Sequence, residues 1–140
     1  MDLDEALDFM RQHKQGVLIT LRRDGRPQLS NIIYGIDDTG LIRISVTAPR
    51  AKARNAGRDP RVSLHVTRDD FYAYAVVDGR AELTDVSREP GDAVGVELAD
   101  LYREMVGEHD DWDEYYRAMV TDQRLVLRIH PERAYGMLPQ

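Results

Sequence analysis

Three short stretches of this chain alternate apolar and polar residues between turn-forming residues, and that pattern commits it to antiparallel β-structure. In residues 41–46, Ile42, Ile44 and Val46 share one face, while Leu41, Arg43 and Ser45 share the other. In residues 62–66, Val62, Leu64 and Val66 oppose Ser63 and His65; in 124–130, Leu125, Leu127 and Ile129 point one way. A side-chain period of two with one apolar face marks a half-buried strand. Further strands are predicted over 17–21, 28–36, 72–77 and 80–86, with 72–77 apolar on both faces as in a strand packed on two sides. Asp24-Gly25 supplies a tight hairpin turn, 37–40 a second turn, and Asp78-Gly79 a turn or bulge.

Helices are expected at the start of the chain and late in it. Leu3, Ala6, Leu7 and Met10 recur at helical spacing within 2–14, with acids in the first turn and Gly16 as a stop. Residues 49–57 read as a short helix begun after proline and ended by glycine. Residues 91–107 carry Val94, Leu98, Leu101 and Met105 on one stripe, and 112–120 form a last helical segment. Six or seven strands in hairpin order, with helices at the start and late in the chain, make an antiparallel barrel of the mainly β, α+β class rather than a βαβ sheet. A length of 140 residues predicts one domain, 1–140.

Composition excludes several chemistries. With no cysteine, disulfides, thiolate zinc sites, iron–sulfur clusters and thiol nucleophiles are ruled out. The histidines at 13, 65, 109 and 130 lack metal-ligand spacing, so no metal site is expected. No Gly-rich strand-to-helix turn and no Gly-x-Ser-x-Gly run is present. The N-terminus has no basic and apolar leader pattern and no apolar run approaches a bilayer span, which predicts a cytoplasmic protein with no membrane partner.

The net charge is −6, yet Arg50, Lys52, Arg54, Arg58 and Arg61 crowd into twelve residues with Asp59 as the single acid. Residues 85–114 hold eleven acids and two arginines. An acidic chain repels nucleic acid, so a short basic segment points to a small anion or to a solvated turn. Arg50, Lys52 and Arg54, at alternate positions on a short helix, cannot all face one way, but some can converge on an anion at the helix start. Guanidinium and ammonium groups suit phosphate as fork and point charge respectively.

The order Ser45, Pro49-Arg50-Ala51-Lys52-Ala53-Arg54-Asn55, Arg58-Asp59-Pro60-Arg61 carries more than its charge. Together with Asp24-Gly25-Arg26-Pro27-Gln28-Leu29-Ser30-Asn31, Tyr74-Ala75-Val76, the run from Gly107 to Trp112, the run from Ala118 to Arg124, and Tyr135-Gly136, it resembles the split β-barrel flavin and deazaflavin oxidoreductases related to pyridoxamine 5′-phosphate oxidase. The likeness extends over nearly the whole chain and is greatest to the actinobacterial branch that binds coenzyme F420. It implies a homodimer with cofactor sites at the interface and an F420-dependent reductase passing hydride to an unsaturated small-molecule substrate. The cofactor phosphate is then expected near Arg50 and Lys52, with Ser45 and Pro49 lining the pocket and Ser30 and Asn31 beside the tricyclic ring. Arg54 and Asn55 would help with the phosphate or the oligoglutamate tail, Asn55 serving equally well as a helix cap. Tyr34 and Tyr74 are candidates to flank the ring or donate a proton, or are core residues. His65 reads as a structural or surface histidine, and Trp112 as a helix anchor or a cap on the partner's site. The alternatives are an FMN-dependent oxidase, whose C-terminal Arg-x-His element is missing here, and a carrier that binds F420 or flavin without turnover.

Overall fold

Alternating Leu, Ile and Val side chains draw seven strands around one apolar interior. The computed structural model describes residues 1–139. Its strands are β1 (Gln15–Leu21), β2 (Pro27–Ile33), β3 (Gly35–Ile36), β4 (Ile42–Thr47), β5 (Arg61–Thr67), β6 (Tyr74–Leu83) and β7 (Arg124–Met137). The helices are α1 (Leu3–Arg11), α2 (Ala51–Arg58), α3 (Ala93–Met105) and α4 (Trp112–Thr121). All strand pairs are antiparallel, in the order β2-β1-β5-β6-β7-β4-β3. The sheet curls into a half-barrel that brings β2 back towards β4, so the mainly β, antiparallel split-barrel architecture stands.

The expected hairpin order holds only in part. β1–β2, β3–β4 and β5–β6 are hairpins, whereas β1 pairs with β5 and β4 with β7 across long stretches of sequence. The strand expected over 28–36 is two strands parted at Tyr34, whose buried phenol donates to the Met10 carbonyl at 2.7 Å. The segments 72–77 and 80–86 form one strand, β6, and Asp78-Gly79 is a register shift within it rather than a turn. Gly79 is needed there because a Cβ would stand 2.5 Å from the His130 carbonyl oxygen. The last strand runs past His130 to Met137, with Pro131 placed opposite Gly79 at that irregularity, where a missing N–H is tolerated. Gly16 lies in β1 and does not stop α1, which ends at Arg11; Gly57 lies inside α2.

The interior joins Leu18, Ile42, Ile44, Val46, Val62, Leu64, Val66, Leu125, Leu127 and Ile129 to Leu7, Phe9 and Met10 of α1 and Ala53 and Ala56 of α2. A smaller cluster forms outside the barrel, where Val126 of β7 meets Leu98, Ala99, Tyr115 and Met119 of α3 and α4. Beside it, Arg43 of β4 pairs with Glu104 at 2.9 Å and Glu97 at 3.7 Å, and Arg128 of β7 bonds Glu97 as well. Asp92 caps α3 by accepting from the N–H groups of Gly95, Arg88 and Glu89 and from the Ser87 hydroxyl. Among the described residues, no helix is long and apolar enough to cross a membrane.

Two stability predictions follow from this geometry. Gly136 adopts φ +147°, and a Cβ there would lie 2.3 Å from the Tyr74 carbonyl oxygen in the β6–β7 ladder. Gly136→Ala therefore costs ~2 kcal/mol or more in urea unfolding. For Asp92, partial burial works against ionisation, but the four hydrogen bonds outweigh it and hold the carboxyl at about 2. A carboxyl pKa depressed by folding contributes stability above the unfolded value, near 4, and loses it as pH falls towards 2. Asp92→Ala is expected to cost ~1–2 kcal/mol near neutral pH and to flatten the acid limb of the stability profile, both read by denaturant melts across pH.

Candidate functional site

The basic segment divides as its helical geometry requires. α2 begins after Arg50, which has an extended backbone and makes no side-chain cap, and no acid occupies the first turn. Its first N–H groups therefore face outward without a side-chain acceptor, at the positive end of the helix dipole. Lys52 is half-buried on this end, and its pKa is lowered, first by burial and then by the charges of Arg50 and Arg124.

Arg124 is the residue that sequence reasoning missed. It opens β7 opposite Thr47, and one of its terminal nitrogens donates to the Ser45 hydroxyl at 3.3 Å and lies 3.4 Å from the Ser45 carbonyl oxygen. Its Nε is buried without a hydrogen-bond partner, the Asp122 carboxylate standing 3.8 Å away. An orphaned buried donor beside two other cations is a costly arrangement without an anion to accept from it. The structure thus sets Arg124 on Ser45 and near Lys52, which also feels the charge of Arg50, with exposed Pro49 in the turn that leads into α2. The run from Ala118 to Arg124 carries the family resemblance but gives Arg124 no role, because only the β4–β7 pairing places it beside Ser45.

Arg54 and Asn55 lie on a different flank of α2. With Ala51 and Arg58 they line a cleft of about 360 Å³ whose other wall is Arg22, Arg23, Asp24 and Gln28 of the β1–β2 hairpin. Asn55 is a brace: its amide donates to the Thr20 hydroxyl at 3.2 Å and its oxygen accepts from Arg58 at 2.9 Å. The helix-cap reading of Asn55 is therefore corrected, since α2 is bounded by Arg50 and Asp59.

Ser30 and Asn31, being consecutive in β2, face opposite ways. Ser30 pairs with the inward Leu18, whereas Asn31 pairs with Val17 on the outer face. Asn31 lines a groove of about 1010 Å³ with His13, Val17, Ile33, His65 and Phe71, closed at one end by Met105 and Val106. His65 makes no hydrogen bond among the described residues, and its ring lies 5.6 Å from that of Tyr74. Tyr34 is inside the barrel instead, where burial pushes its phenol far above the usual tyrosine range. Trp112 joins α4 to the α3 side: its indole donates to Glu108 at 3.1 Å, and the Arg103 guanidinium stacks 4.2 Å over its ring.

The chain thus offers an uncapped helix start beside Lys52, an arginine-lined cleft and a groove walled by both apolar and polar side chains. Comparison with known proteins agrees with the fold and sharpens its kinship. A conserved hypothetical protein of Mycobacterium tuberculosis, Rv2991, is 27% identical, covers 100% of this chain and 90% of its own, and superposes with a TM-score of 0.76. An F420 reductase is 25% identical over 87% of this chain and 89% of its own, at a TM-score of 0.65. The heme storage protein HutZ of Vibrio cholerae, 20% identical at a TM-score of 0.67 over 98% of this chain and 96% of its own, shares the fold alone. Residues 3–138 match the pyridoxamine 5′-phosphate oxidase family, and the chain belongs to that family.

Proposed function

We propose that this protein is an oxidoreductase that uses coenzyme F420, with the cofactor phosphate held at the start of α2 by Arg50, Lys52 and Arg124. The observation that carries this reading is a helix start with no side-chain cap and no first-turn acid, where Lys52 lies in the field of Arg50 and Arg124 and the Arg124 Nε is buried without a hydrogen-bond partner. The similarity to an F420 reductase supports the choice of deazaflavin over FMN. When bound, the reduced deazaflavin supplies a hydride and the chain supplies placement.

Each residue of this chain has a defined part in that reading. Arg124 and Lys52 neutralise the phosphate and Ser45 orients Arg124, while Asn31 faces the ring from the outer sheet. The groove floor of Val17 and Ile33 excludes water around the reacting atoms. His65, which lines the groove, and Tyr74, whose ring lies 5.6 Å from it, would be the groups to deliver a proton to the substrate.

The same outer face suits a second copy of the chain. Leu29 and Ile33 on β2 and Tyr135 and Met137 on β7 are exposed on it, and large apolar side chains left exposed in this way suit an association surface. A homodimer across this face would close the groove and complete the site.

Equilibrium binding to the purified protein tests the cofactor. F420 is expected to bind more tightly than FMN, with affinity falling as salt is raised because charge pairing dominates. Arg50→Ala, Lys52→Ala is expected to lose roughly a hundredfold in F420 affinity, from two charge-assisted contacts; unchanged affinity would remove the phosphate from this place. Reduction of a dye or quinone by reduced F420 separates an enzyme from a carrier. Tyr34→Phe is expected to lower stability by ~1 kcal/mol through loss of the buried hydrogen bond to the Met10 carbonyl while leaving F420 affinity as it is. A fall in affinity without a change in unfolding would place that phenol at the ring instead.

A further inference from the structure

Phe71, in the turn between β5 and β6, carries two costs at one position. Its backbone stands at φ +68°, and the residue is 79% exposed. A left-handed backbone crowds the Cβ of a bulky L-residue, and a phenyl ring left in water forgoes the gain of burial. Among the described residues, Gln123 is the other non-glycine with positive φ. It directly follows the Asp122 cap of α4, where a left-handed residue is a common way to end a helix.

The turn itself asks for a different residue. The Phe71 N–H donates to the Arg68 carbonyl at 2.9 Å, and the Arg68 N–H to the Ala73 carbonyl at 2.8 Å. The left-handed place in such a hairpin ordinarily takes Gly or Asn. The turn is also braced, because Asp70 accepts from the Arg68 guanidinium at 2.9 Å and from the Tyr72 N–H at 3.0 Å. The backbone that carries the phenyl ring is thus held in place. Strain and exposure kept together by a braced turn point to work done by the side chain.

That side chain lines the groove, together with Asn31, His65, Met105 and Val106. One lysine, Lys14, and one acid, Asp69, line it as well, so with neutral histidines its wall has no net charge. The start of α2, in contrast, is strongly positive. A groove of balanced charge with an aromatic ring at its mouth suits an uncharged, flat ligand.

We infer that Phe71 is a specificity residue of this groove, its ring stacking on an uncharged, fused-ring hydride acceptor in preference to a single-ring one. The inference rests on the reading of the groove as the substrate end of an F420 site. A stacked aromatic pair contributes several-fold in affinity, and more where the overlapping area is larger.

The test is equilibrium binding to the full chain of menadione, a two-ring quinone, and duroquinone, a one-ring quinone. The native protein is expected to bind menadione about fivefold more tightly than duroquinone. Phe71→Ala brings the two to within about twofold, and Phe71→Tyr keeps the preference. Phe71→Gly loses the preference as alanine does, yet raises the urea midpoint above that of the native chain, since glycine takes the left-handed conformation without steric cost. F420 affinity stays within about twofold in all three variants. A menadione preference that survives in Phe71→Ala, or no menadione binding by the native protein, overturns the inference. So does a lower urea midpoint for Phe71→Gly, which would make the ring structural. An equal loss of F420 affinity gives the ring to the cofactor, and dissociation of a native dimer in sedimentation gives it to a second copy; either result overturns the inference. If F420 does not bind the native protein, the cofactor reading fails separately, and the two quinones still decide the part of Phe71.

Discussion

Burial of β7 on both of its faces is the constraint on which this molecule depends. Leu125, Leu127 and Ile129 fill the barrel from one side, while Val126 on the other side seats α3 and α4. The same strand pairs with β4 along one edge and β6 along the other, joining the two halves of the sheet. Because β7 begins at Arg124, this pairing also carries that guanidinium to Ser45 and into the neighbourhood of Lys52. Core packing and site assembly are in this sense one event. A strand that failed to dock would leave the barrel open and the proposed anion site one cation short.

Charge is segregated on this frame with evident economy. Glu97 and Glu104 of α3 are engaged with Arg43 and Arg128 on the outside of the sheet, so charges are matched where α3 packs on it. The cations of α2 and Arg22 and Arg23 of the hairpin form no ion pair among the described residues. On a protein of net negative charge, that local excess of positive charge is what the proposed function draws on. The apolar groove lies on the other face of the sheet, reached from β2 and β5, and a ligand or a second copy of the chain that covers it shields Asn31 and His65 from water.

Much of the barrel was legible in the alternation of single strands. The inward sets Ile42, Ile44, Val46 and Val62, Leu64, Val66 are all buried, because a period of two places a whole set on one face. What misled the reading was punctuation. Asp78-Gly79 is as good a turn signal as a bulge signal, and what decides between them is the approach of the His130 carbonyl from a strand fifty residues away. Tyr34 reads as a core residue or a ring partner, and its buried hydroxyl on the Met10 carbonyl decides for the core. The site was legible to the extent that it is local: Arg50 and Lys52 stand together in the fold as they do in the sequence.

By itself, then, the sequence determined a cysteine-free antiparallel β-protein with a short basic helix suited to a small anion, since strand period, turn chemistry and local charge are short-range properties. Tertiary structure alone decided which cations share a place. Helical periodicity sent Arg54 and Arg58 to the hairpin's arginines, and strand pairing brought Arg124 to Lys52, across separations that no local pattern encodes. It also decided that Ser30 and Asn31, neighbours in the chain, work on opposite faces of a sheet. The physical reason is that backbone geometry fixes direction residue by residue, while proximity between distant residues exists only once the sheet has closed.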